Sequence, residues 1–178
     1  RVMVEEHDGA VPRDHDALLA LPGVGPYTAA AVASFAFADP QTVVDTNVRR
    51  VLARTVSGTE YPSPALTAAE MRLAHASMPR DPDRANRWNA ASMELGALVC
   101  TARAPRCDEC PVAHLCRWQL DGRPAHEGPA RRGQAWHGTD RQVRGRIVQL
   151  LRESPDPLTR TDLAAAWEKA RESPRNSP

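Results

Sequence analysis

The sequence has few of the residues that build sheets or cross membranes. Its 178 residues include two tyrosines, two phenylalanines and four tryptophans, and β-branched residues form no alternating run beyond a short stretch at 42–44. No apolar run approaches the roughly 20 residues that span a bilayer, and the N-terminus has no signal-peptide core. These absences predict a helical protein without a membrane span, located in the cytoplasm.

Lysine is nearly missing as well. Lys169 is the only one, and arginine supplies almost all of the positive charge. The formal net charge is +1, so the net charge of the chain does not by itself predict a nucleic-acid partner. Between residues 103 and 152, however, arginines outnumber acids. This local excess fits a surface that faces phosphates, and it equally fits a solvated face in an arginine-rich protein.

Alanine, by contrast, is abundant, and it favours closely packed helices. Apolar periodicity, capping residues and prolines predict helices at about 14–21, 26–37, 46–54, 65–78, 86–99 and 143–151, with another starting near 158. The predicted buried stripe of the fifth helix is Trp88, Ala91, Leu95 and Leu98 or Val99. Residues 122–138, rich in glycine, proline and arginine, are interpreted as a linker. The predicted fold class is all-α.

All four cysteines lie in one short segment, at Cys100, Cys107, Cys110 and Cys116. A disulfide set is rare in a reducing cytosol, and thiolates this close together repel one another unless a cation holds them. Zinc sites made of four cysteines usually contain two separate Cys-x2-Cys pairs, whereas this segment has one. The spacing therefore favours a [4Fe–4S] cluster wrapped by one loop, with zinc as the alternative. A structural role for the cluster is expected over electron transfer.

A Leu-Pro-Gly-Val-Gly turn joins the first two predicted helices at 21–25. Gly23 and Gly25 allow backbone conformations that other residues avoid. They also leave the amides of the turn and of the next helix free to point at a phosphate. The segment is typical of a helix-hairpin-helix that binds the DNA backbone, and the alternative is a tight turn without a ligand.

Asp45 follows the apolar residues 42–44 and precedes the helix that starts at Thr46. Aspartate is a common N-cap, so capping alone would explain it. The phosphate-binding hairpin a short distance upstream raises the alternative that this carboxylate takes part in chemistry on DNA.

Three stretches together resemble one protein family. They are Leu-Pro-Gly-Val-Gly-Pro-Tyr-Thr-Ala-Ala at 21–30, Val-Asp-Thr-Asn-Val-Arg-Arg-Val-Leu-Ala-Arg at 44–54, and 88–116 with its Met-Glu-Leu-Gly-Ala sequence and four cysteines. The combination resembles the helix-hairpin-helix DNA glycosylase superfamily in its iron–sulfur branch, over about 14–118. Endonuclease III in that branch carries a Schiff-base lysine where this chain has Tyr27, and a histidine where it has Asn47. Both residues look like those of the adenine glycosylases called MutY.

The resemblance implies a helix-hairpin-helix DNA glycosylase fold. Residues 1–54 would be the C-terminal part of the six-helix domain with the hairpin, and 55–120 the helical iron–sulfur domain. Residues 121–140 would be a linker, and 141–178 a short helical extension with a disordered tail. No segment after 138 resembles the domain with which many relatives recognise 8-oxoguanine, so the opposite-base preference stays open.

The implied reaction is hydrolysis of the N-glycosidic bond of adenine mispaired with 8-oxoguanine or guanine in duplex DNA, by a monomer that flips the adenine out of the helix. By match of position, Asp45 stabilises the developing sugar cation, and Tyr27 and Asn47 support it. The residues expected to bind DNA are Gly23, Val24, Gly25, Tyr27 and Thr28.

The family's general acid is a glutamate in a motif well upstream of the hairpin, and nothing before Asp14 matches that motif. The chain also begins with Arg1 rather than methionine. We therefore expect a piece of a longer, monofunctional glycosylase that is inactive by itself. Two alternatives stay open: an endonuclease III-like glycosylase with another base specificity, and a non-catalytic DNA-binding module that keeps hairpin and cluster.

Overall fold

The computed structural model describes residues 1–128 and 139–172. Within those ranges the chain is helical and contains no strand. It divides into two compact units, Arg1–Glu127 and Gly128–Pro178. None of the described helices is long and apolar enough to cross a membrane. The predicted linker and tail fall partly outside the described residues, at 129–138 and 173–178, and the boundaries expected at 54 and 120 stay predictions.

The described elements are short helices and single turns in chain order. They are α1 (Val2–Glu6), α2 (His15–Ala20), α3 (Pro26–Phe37), α4 (Thr46–Thr55), α5 (Ala68–Ser77), α6 (Pro82–Glu94), a π-helical turn (Leu95–Val99), two 3-10 turns (Cys107–Glu109 and Ala113–Leu115), α7 (Arg117–Leu120), α8 (Asp140–Glu153) and α9 (Arg160–Glu172).

Helices α2 and α3 form the hairpin, and their predicted bounds agree with the structure. The Asp14 carboxylate caps α2 by accepting the Ala17 N–H at 2.9 Å, and Pro26 occupies the first turn of α3, where its missing N–H costs nothing. A small core of leucine and alanine joins the two helices; its buried members are Leu18, Leu21, Ala29 and Ala33. Helix α1 was not predicted, because its five residues carry no apolar stripe.

Helix α4 is central to the first unit and contacts α5, α6, α7 and the π-helical turn. Val48, Val51 and Leu52 are buried, as the sequence predicts. Val48 and Leu52 pack with Ala74 of α5, and Trp88 and Met93 line the edge of this cluster. The packing fixes the N-terminus of α4, and hence Asp45, against the helix that leads into the cysteine segment.

Helices α5 and α6 differ from prediction in detail. Helix α5 starts at Ala68, three residues later than expected, because Thr67 and Glu70 form a reciprocal capping box there. Helix α6 starts at Pro82 behind the Asp81 cap, earlier than the predicted 86. It gives way at Leu95 to the π-helical turn that ends at Val99.

The predicted buried stripe of α6 is correct only in part. Trp88, Leu95 and Val99 are half-buried, whereas Ala91 and Leu98 are exposed. The fully buried positions are Ala85, Asn89, Ser92 and Gly96. Asn89 tolerates burial because its Nδ2 donates to the Gln41 carbonyl at 2.8 Å and its Oδ1 accepts the Val43 N–H at 3.4 Å. The hydrogen-bonded side chain of Asn89 is therefore buried on a helix for which apolar periodicity predicted only apolar buried residues.

The second unit is a pair of helices, α8 and α9, in mutual contact. The Thr139 side chain caps α8 by accepting the Gln142 N–H at 3.3 Å. Val143 is buried as expected, whereas Leu150 and Leu151 of the predicted apolar face are exposed. At the start of α9 the Thr159 hydroxyl and the Thr159 N–H donate to the Asp162 carboxylate at 2.7 and 2.8 Å, and these bonds lower the pKa of Asp162.

Candidate active site and cysteine centre

The turn between α2 and α3 presents backbone rather than side chains. Gly23 has φ = +82°, a left-handed conformation that favours glycine. A Cβ placed on Gly23 or Gly25 would meet no atom within 4 Å, so the outer surface of the turn is open. Gly25 begins α3 without a side-chain cap. The first amides of α3 therefore have the arrangement that binds a phosphate in other helix-turn structures.

The other hairpin residues proposed from the sequence belong to the turn and to the first turn of α3. Val24 is half-buried and donates its N–H to the Leu21 carbonyl at 3.1 Å. Tyr27 and Thr28 are exposed on the first turn of α3. In the described part of the chain, Tyr27 forms no hydrogen bond, and 44% of its surface is exposed. Its hydroxyl group is thus available to a ligand, and the structure does not join it to Asp45.

The Asp45 carboxylate is held by hydrogen bonds to both of its oxygens. Oδ1 accepts the backbone N–H groups of Asn47 and Val48 at 2.8 and 2.7 Å, and Oδ2 accepts Asn47 Nδ2 at 2.8 Å. The N-terminus of α4 adds a favourable dipole. The predicted pairing of Asp45 with Asn47 is therefore present, and the carboxylate is fixed in one orientation.

Arg50 extends this network toward the cysteines. Its Nη2 donates to Asn47 Oδ1 at 2.7 Å and to the Gly96 carbonyl at 2.6 Å, while its Nε donates to the Cys100 carbonyl at 2.7 Å. Burial lowers the pKa of Arg50, an effect that the nearby Cys100 and Asp45 oppose. One side chain thus ties the asparagine that orients Asp45 to the start of the cysteine segment.

Gly96 brings the π-helical turn against the first turn of α4. A Cβ on Gly96 would lie 2.7 Å from Asn47 Cβ and 2.8 Å from the Asn47 carbonyl oxygen. Only glycine permits this approach without displacing α4. The wider winding of Leu95–Val99 places the Gly96 carbonyl within reach of Arg50.

The four cysteines converge on one cavity. They line this cavity together with Arg54, Leu95 and Trp118. Burial raises the pKa of the Cys110 thiol, and the charges of the other three cysteines raise it further. Unmetallated thiolates would repel one another here, so the donor set suits a cationic metal centre.

Two residues that matter here were missed by sequence reasoning, and both are arginines of α4. Arg50 and Arg54 lie four residues apart, with Val51 and Leu52 between them. Arginines beside the apolar face of a short helix are a weak signal of buried guanidinium partners. Their partners are 46–50 residues away in the chain, which local pattern cannot reveal.

The arginines expected to meet phosphates around the cysteines are exposed. Arg106 pairs with Glu109 at 2.9 Å and Arg117 with Asp121 at 3.4 Å, so both have acidic neighbours. Arg103 is exposed in the longest interval between cysteines.

Two family descriptions match the chain. Residues 6–35 match "Helix-hairpin-helix motif", and residues 100–116 match "Iron-sulfur binding domain of endonuclease III". The second match begins and ends on the outer cysteines. The predicted cofactor, a [4Fe–4S] cluster, is thereby confirmed.

Curated relatives align along nearly the whole chain. The adenine DNA glycosylase of Mycolicibacterium smegmatis is 51% identical over 93% of this chain and 55% of its own length. That of Mycobacterium tuberculosis is 48% identical over 93% of this chain and 54% of its own. The human adenine DNA glycosylase is 47% identical over 66% of this chain and 21% of its own. The chain thus spans about half the length of the bacterial relatives.

Solved structures agree on the fold. A thermostable thymine-DNA glycosylase matches 68% of this chain and 55% of its own with a TM-score of 0.57 and 35% identity. A trapped endonuclease III–DNA covalent intermediate matches 68% of this chain and 55% of its own with a TM-score of 0.55 and 30% identity. The predicted all-α, helix-hairpin-helix fold is confirmed.

Proposed function

We propose, from the homology of this chain to adenine DNA glycosylases over 93% of its length, that the protein containing it excises adenine from duplex DNA in base-excision repair. The substrate would be adenine paired with 8-oxoguanine or guanine, and the reaction hydrolysis of the N-glycosidic bond. The observation that carries the proposal is the fixed Asp45 carboxylate at the N-terminus of α4.

The proposed chemistry requires a negative charge beside the sugar. As the bond to adenine breaks, the C1′ centre acquires oxocarbenium character, and a carboxylate nearby stabilises it. Asp45 meets this need because its hydrogen bonds come from the Asn47 and Val48 N–H groups and the Asn47 amide. These donors keep it oriented without removing its charge.

Tyr27 and Asn47 are proposed as supporting groups. Asn47 is already bonded to Asp45 and to Arg50, so it restricts the carboxylate to one rotamer. The exposed Tyr27 hydroxyl would contact the flipped nucleotide. Adenine must leave the base stack to reach these groups, which costs a few kcal/mol of unstacking.

The hairpin is proposed to hold the DNA backbone. The amides of Gly25 and of the first turn of α3 would contact a phosphate, with Gly23, Val24, Tyr27 and Thr28 completing that surface. The Val24 N–H itself stays bonded to the Leu21 carbonyl. Such contacts fix the register of the protein on the duplex without reading bases. The similarity to solved endonuclease III–DNA complexes supports this proposal.

The cluster is proposed to bind through Cys100, Cys107, Cys110 and Cys116, the four residues around the shared cavity. When bound, the cluster would cross-link the 100–116 segment and would take no part in the chemistry on the substrate. Arg50 would transmit that order to the active site, because it hydrogen-bonds both Cys100 and Asn47.

A lyase activity like that of endonuclease III is disfavoured. Imine chemistry requires a side-chain amine, and the position after the hairpin holds Tyr27. The chain's only lysine, Lys169, belongs to α9. We therefore propose a monofunctional glycosylase. We also propose that it acts as a monomer, and that the general acid is supplied by residues outside this chain, so the chain alone releases no adenine.

Single-turnover assays test the proposal. The protein containing this chain should release adenine from A:8-oxoguanine and A:G duplexes and leave A:T intact, with no borohydride-trapped adduct. The isolated 178-residue chain should release none. Removal of oxidised pyrimidines, or strand cleavage by β-elimination, would support the endonuclease III-like alternative instead.

A further inference from the structure

Arg54 is a buried cation without a carboxylate partner. The residue is 1% exposed, and in the part of the chain that the structure describes it forms no ion pair with Asp or Glu. Burying an isolated charge is costly unless another charge or a full set of hydrogen bonds compensates it. Its surroundings therefore indicate what compensates this one.

The guanidinium contacts only carbonyl oxygens, a sulfur and aromatic rings. Nη1 donates to Cys100 Sγ at 3.3 Å and to the Thr101 carbonyl at 2.8 Å. Nη2 donates to the Ala102 carbonyl at 3.2 Å, and Nε to the Glu60 carbonyl at 2.9 Å. These bonds use most of the donors that an arginine has.

Arg54 also meets the end of the cysteine segment. Its guanidinium lies 4.9 Å from the ring centre of the buried Trp118, a cation–π arrangement. Its backbone carbonyl lies 3.5 Å from Cys116 Sγ. One residue of α4 thus contacts the first cysteine through its side chain and the last cysteine through its main chain, and it lines the cavity that all four share.

Arg54 needs a negative charge to compensate its own, and the place for that charge is beside Cys100 Sγ. A [4Fe–4S] cluster with four thiolate ligands carries net negative charge. Its stability and reduction potential respond to hydrogen bonds to the sulfurs and to nearby charge. Arg54 supplies both an N–H···S bond and a positive charge at the same atom.

We propose that Arg54 is a further constituent of the iron–sulfur site: it is the counter-charge and hydrogen-bond donor of the Cys100 sulfur, and it governs how firmly the cluster is held and at what potential it is reduced. The inference rests on the proposed ligand role of the four cysteines. Because reduction adds negative charge, a cation beside the sulfur favours the reduced form. Removing it should shift the potential to more negative values.

The test uses the cluster-loaded protein containing this chain, with Arg54→Met, Arg54→Lys and Arg49→Met prepared anaerobically. Arg49 is the matched control, a largely buried arginine of the same helix whose side chain is 11% exposed. It bonds to Glu70 and to the Ser63 and Ala65 carbonyls, and not to a cysteine. Iron and sulfide content, the rate of bleaching by a chelator, and the reduction potential by voltammetry are measured.

Arg54→Met should weaken cluster retention by about 10- to 100-fold and lower the potential, while Arg49→Met leaves both as in the parent. Arg54→Lys keeps the positive charge but not the set of N–H donors that arginine has, so its reduction potential should lie between those of the parent and Arg54→Met. If Arg54→Met does not fold, the lysine variant decides. If the variant that folds loses iron no faster than the parent and has the same reduction potential, the proposal is overturned.

Cys100→Ala, which leaves no donor atom, separates this inference from the ligand assignment. Loss of iron in Cys100→Ala together with unchanged behaviour of the Arg54 variants would refute the role of Arg54 alone. A full cluster in Cys100→Ala would refute the ligand assignment on which that role depends.

Discussion

The hairpin turn and helix α4 differ in how their polar groups are satisfied. At the turn, the backbone of Gly23 and Gly25 is open and the Tyr27 side chain has no hydrogen-bond partner within the described residues. Along α4, Asp45 is bonded to Asn47 and Val48 of the same helix. The arginines that follow it are bonded to the segment before α5, to Glu70 of α5 and to the segment around Cys100. The polar groups of the turn are left for a ligand to bind, whereas the polar groups of α4 are bound by other residues of the protein.

This difference separates the two requirements of a base-excising enzyme. The surface that meets DNA gains from donors that are not yet used, because a phosphate can then satisfy them. The carboxylate that stabilises a transient cation gains from fixed neighbours, because no reorganisation is then needed during the reaction. Substitutions in the two regions should therefore change different measurements.

The largest effect is expected for Asp45→Asn. Asparagine caps a helix as well as aspartate does, so the thermal midpoint should hardly change. The loss of the charge should slow adenine release by about 10²–10³-fold in single-turnover assays. Asp14→Asn, at the matching cap of α2, should leave the rate unchanged. If Asp45→Asn retains the full rate, Asp45 is only a helix cap and has no part in the reaction.

The second largest effect is expected for Gly96→Ala, which disturbs the contact between the π-helical turn and α4 without removing a polar group. The added Cβ would lie under 3.0 Å from Asn47 atoms, so α4 or the π-helical turn must shift. Overpacking of this kind costs about 1–3 kcal/mol of unfolding free energy, measurable by denaturant titration. Adenine release should slow as well, since Asn47 orients Asp45. Unchanged stability and rate would mean that the contact is not tight in solution.

Gly23→Ala and Gly25→Ala compare two positions of the open turn. Gly23 is left-handed, and alanine there should cost about 1–2 kcal/mol of stability. Gly25 has φ = −94° and open space around it, so alanine should leave stability nearly unchanged. Both should weaken duplex binding in fluorescence anisotropy titrations, because a Cβ would stand between the amides and a phosphate. Parent-like affinity in both variants would exclude the turn as a phosphate contact.

The smallest effect concerns pH and the start of α5. Burial by itself raises the pKa of Glu70, but the Thr67 and Ser63 N–H groups and Arg49 outweigh it, and the pKa lies below its ordinary value. A carboxyl with a lowered folded pKa stabilises the fold above its unfolded pKa, and this contribution disappears as pH falls through the folded pKa.

Glu70→Gln keeps a residue suited to the capping box but loses the ionisation. Its unfolding free energy should be lower than that of the parent near neutral pH, by about 1 kcal/mol or less, and the two should converge in acid. Parallel curves from neutral pH to acid, measured by denaturant titration, would contradict the role of the Glu70 charge.

Local features of the sequence predicted well wherever the structure is decided locally. The bounds of α3 follow from Pro26 and the alanine-rich run, and the start of α4 from Asp45 as its cap. The capping box of α5 was overlooked, although Thr67 and Glu70 carry its pattern, so the helix was expected to begin too early. The cysteine spacing indicated the cofactor because every ligand lies in one short segment.

Contacts between distant segments could not be predicted. Arg50 and Arg54 bond to groups about 46–50 residues away, and neither has a local pattern that marks it. The face of α6 is decided by Asn89, whose amide bonds to residues 41 and 43. Apolar periodicity alone gave that face to Ala91 and Leu98. The roles of Tyr27, Asp45 and Asn47 in catalysis stay predictions.

The π-helical turn at Leu95–Val99 limits how the chain can change in length. A π-turn accommodates one residue more than an α-helix over the same stretch, and each residue of an α-helix advances by about 100° of rotation. Deleting one residue there would restore regular winding, which would keep the direction of Cys100 but remove the widened turn whose Gly96 carbonyl accepts from Arg50. An insertion, or a deletion in the regular winding of α6, has no such compensation and would turn Cys100 away from α4 by about 100°. Single-residue insertions and deletions between Asn89 and Cys100 should therefore be far less tolerated than substitutions at the exposed Ala91 or Leu98.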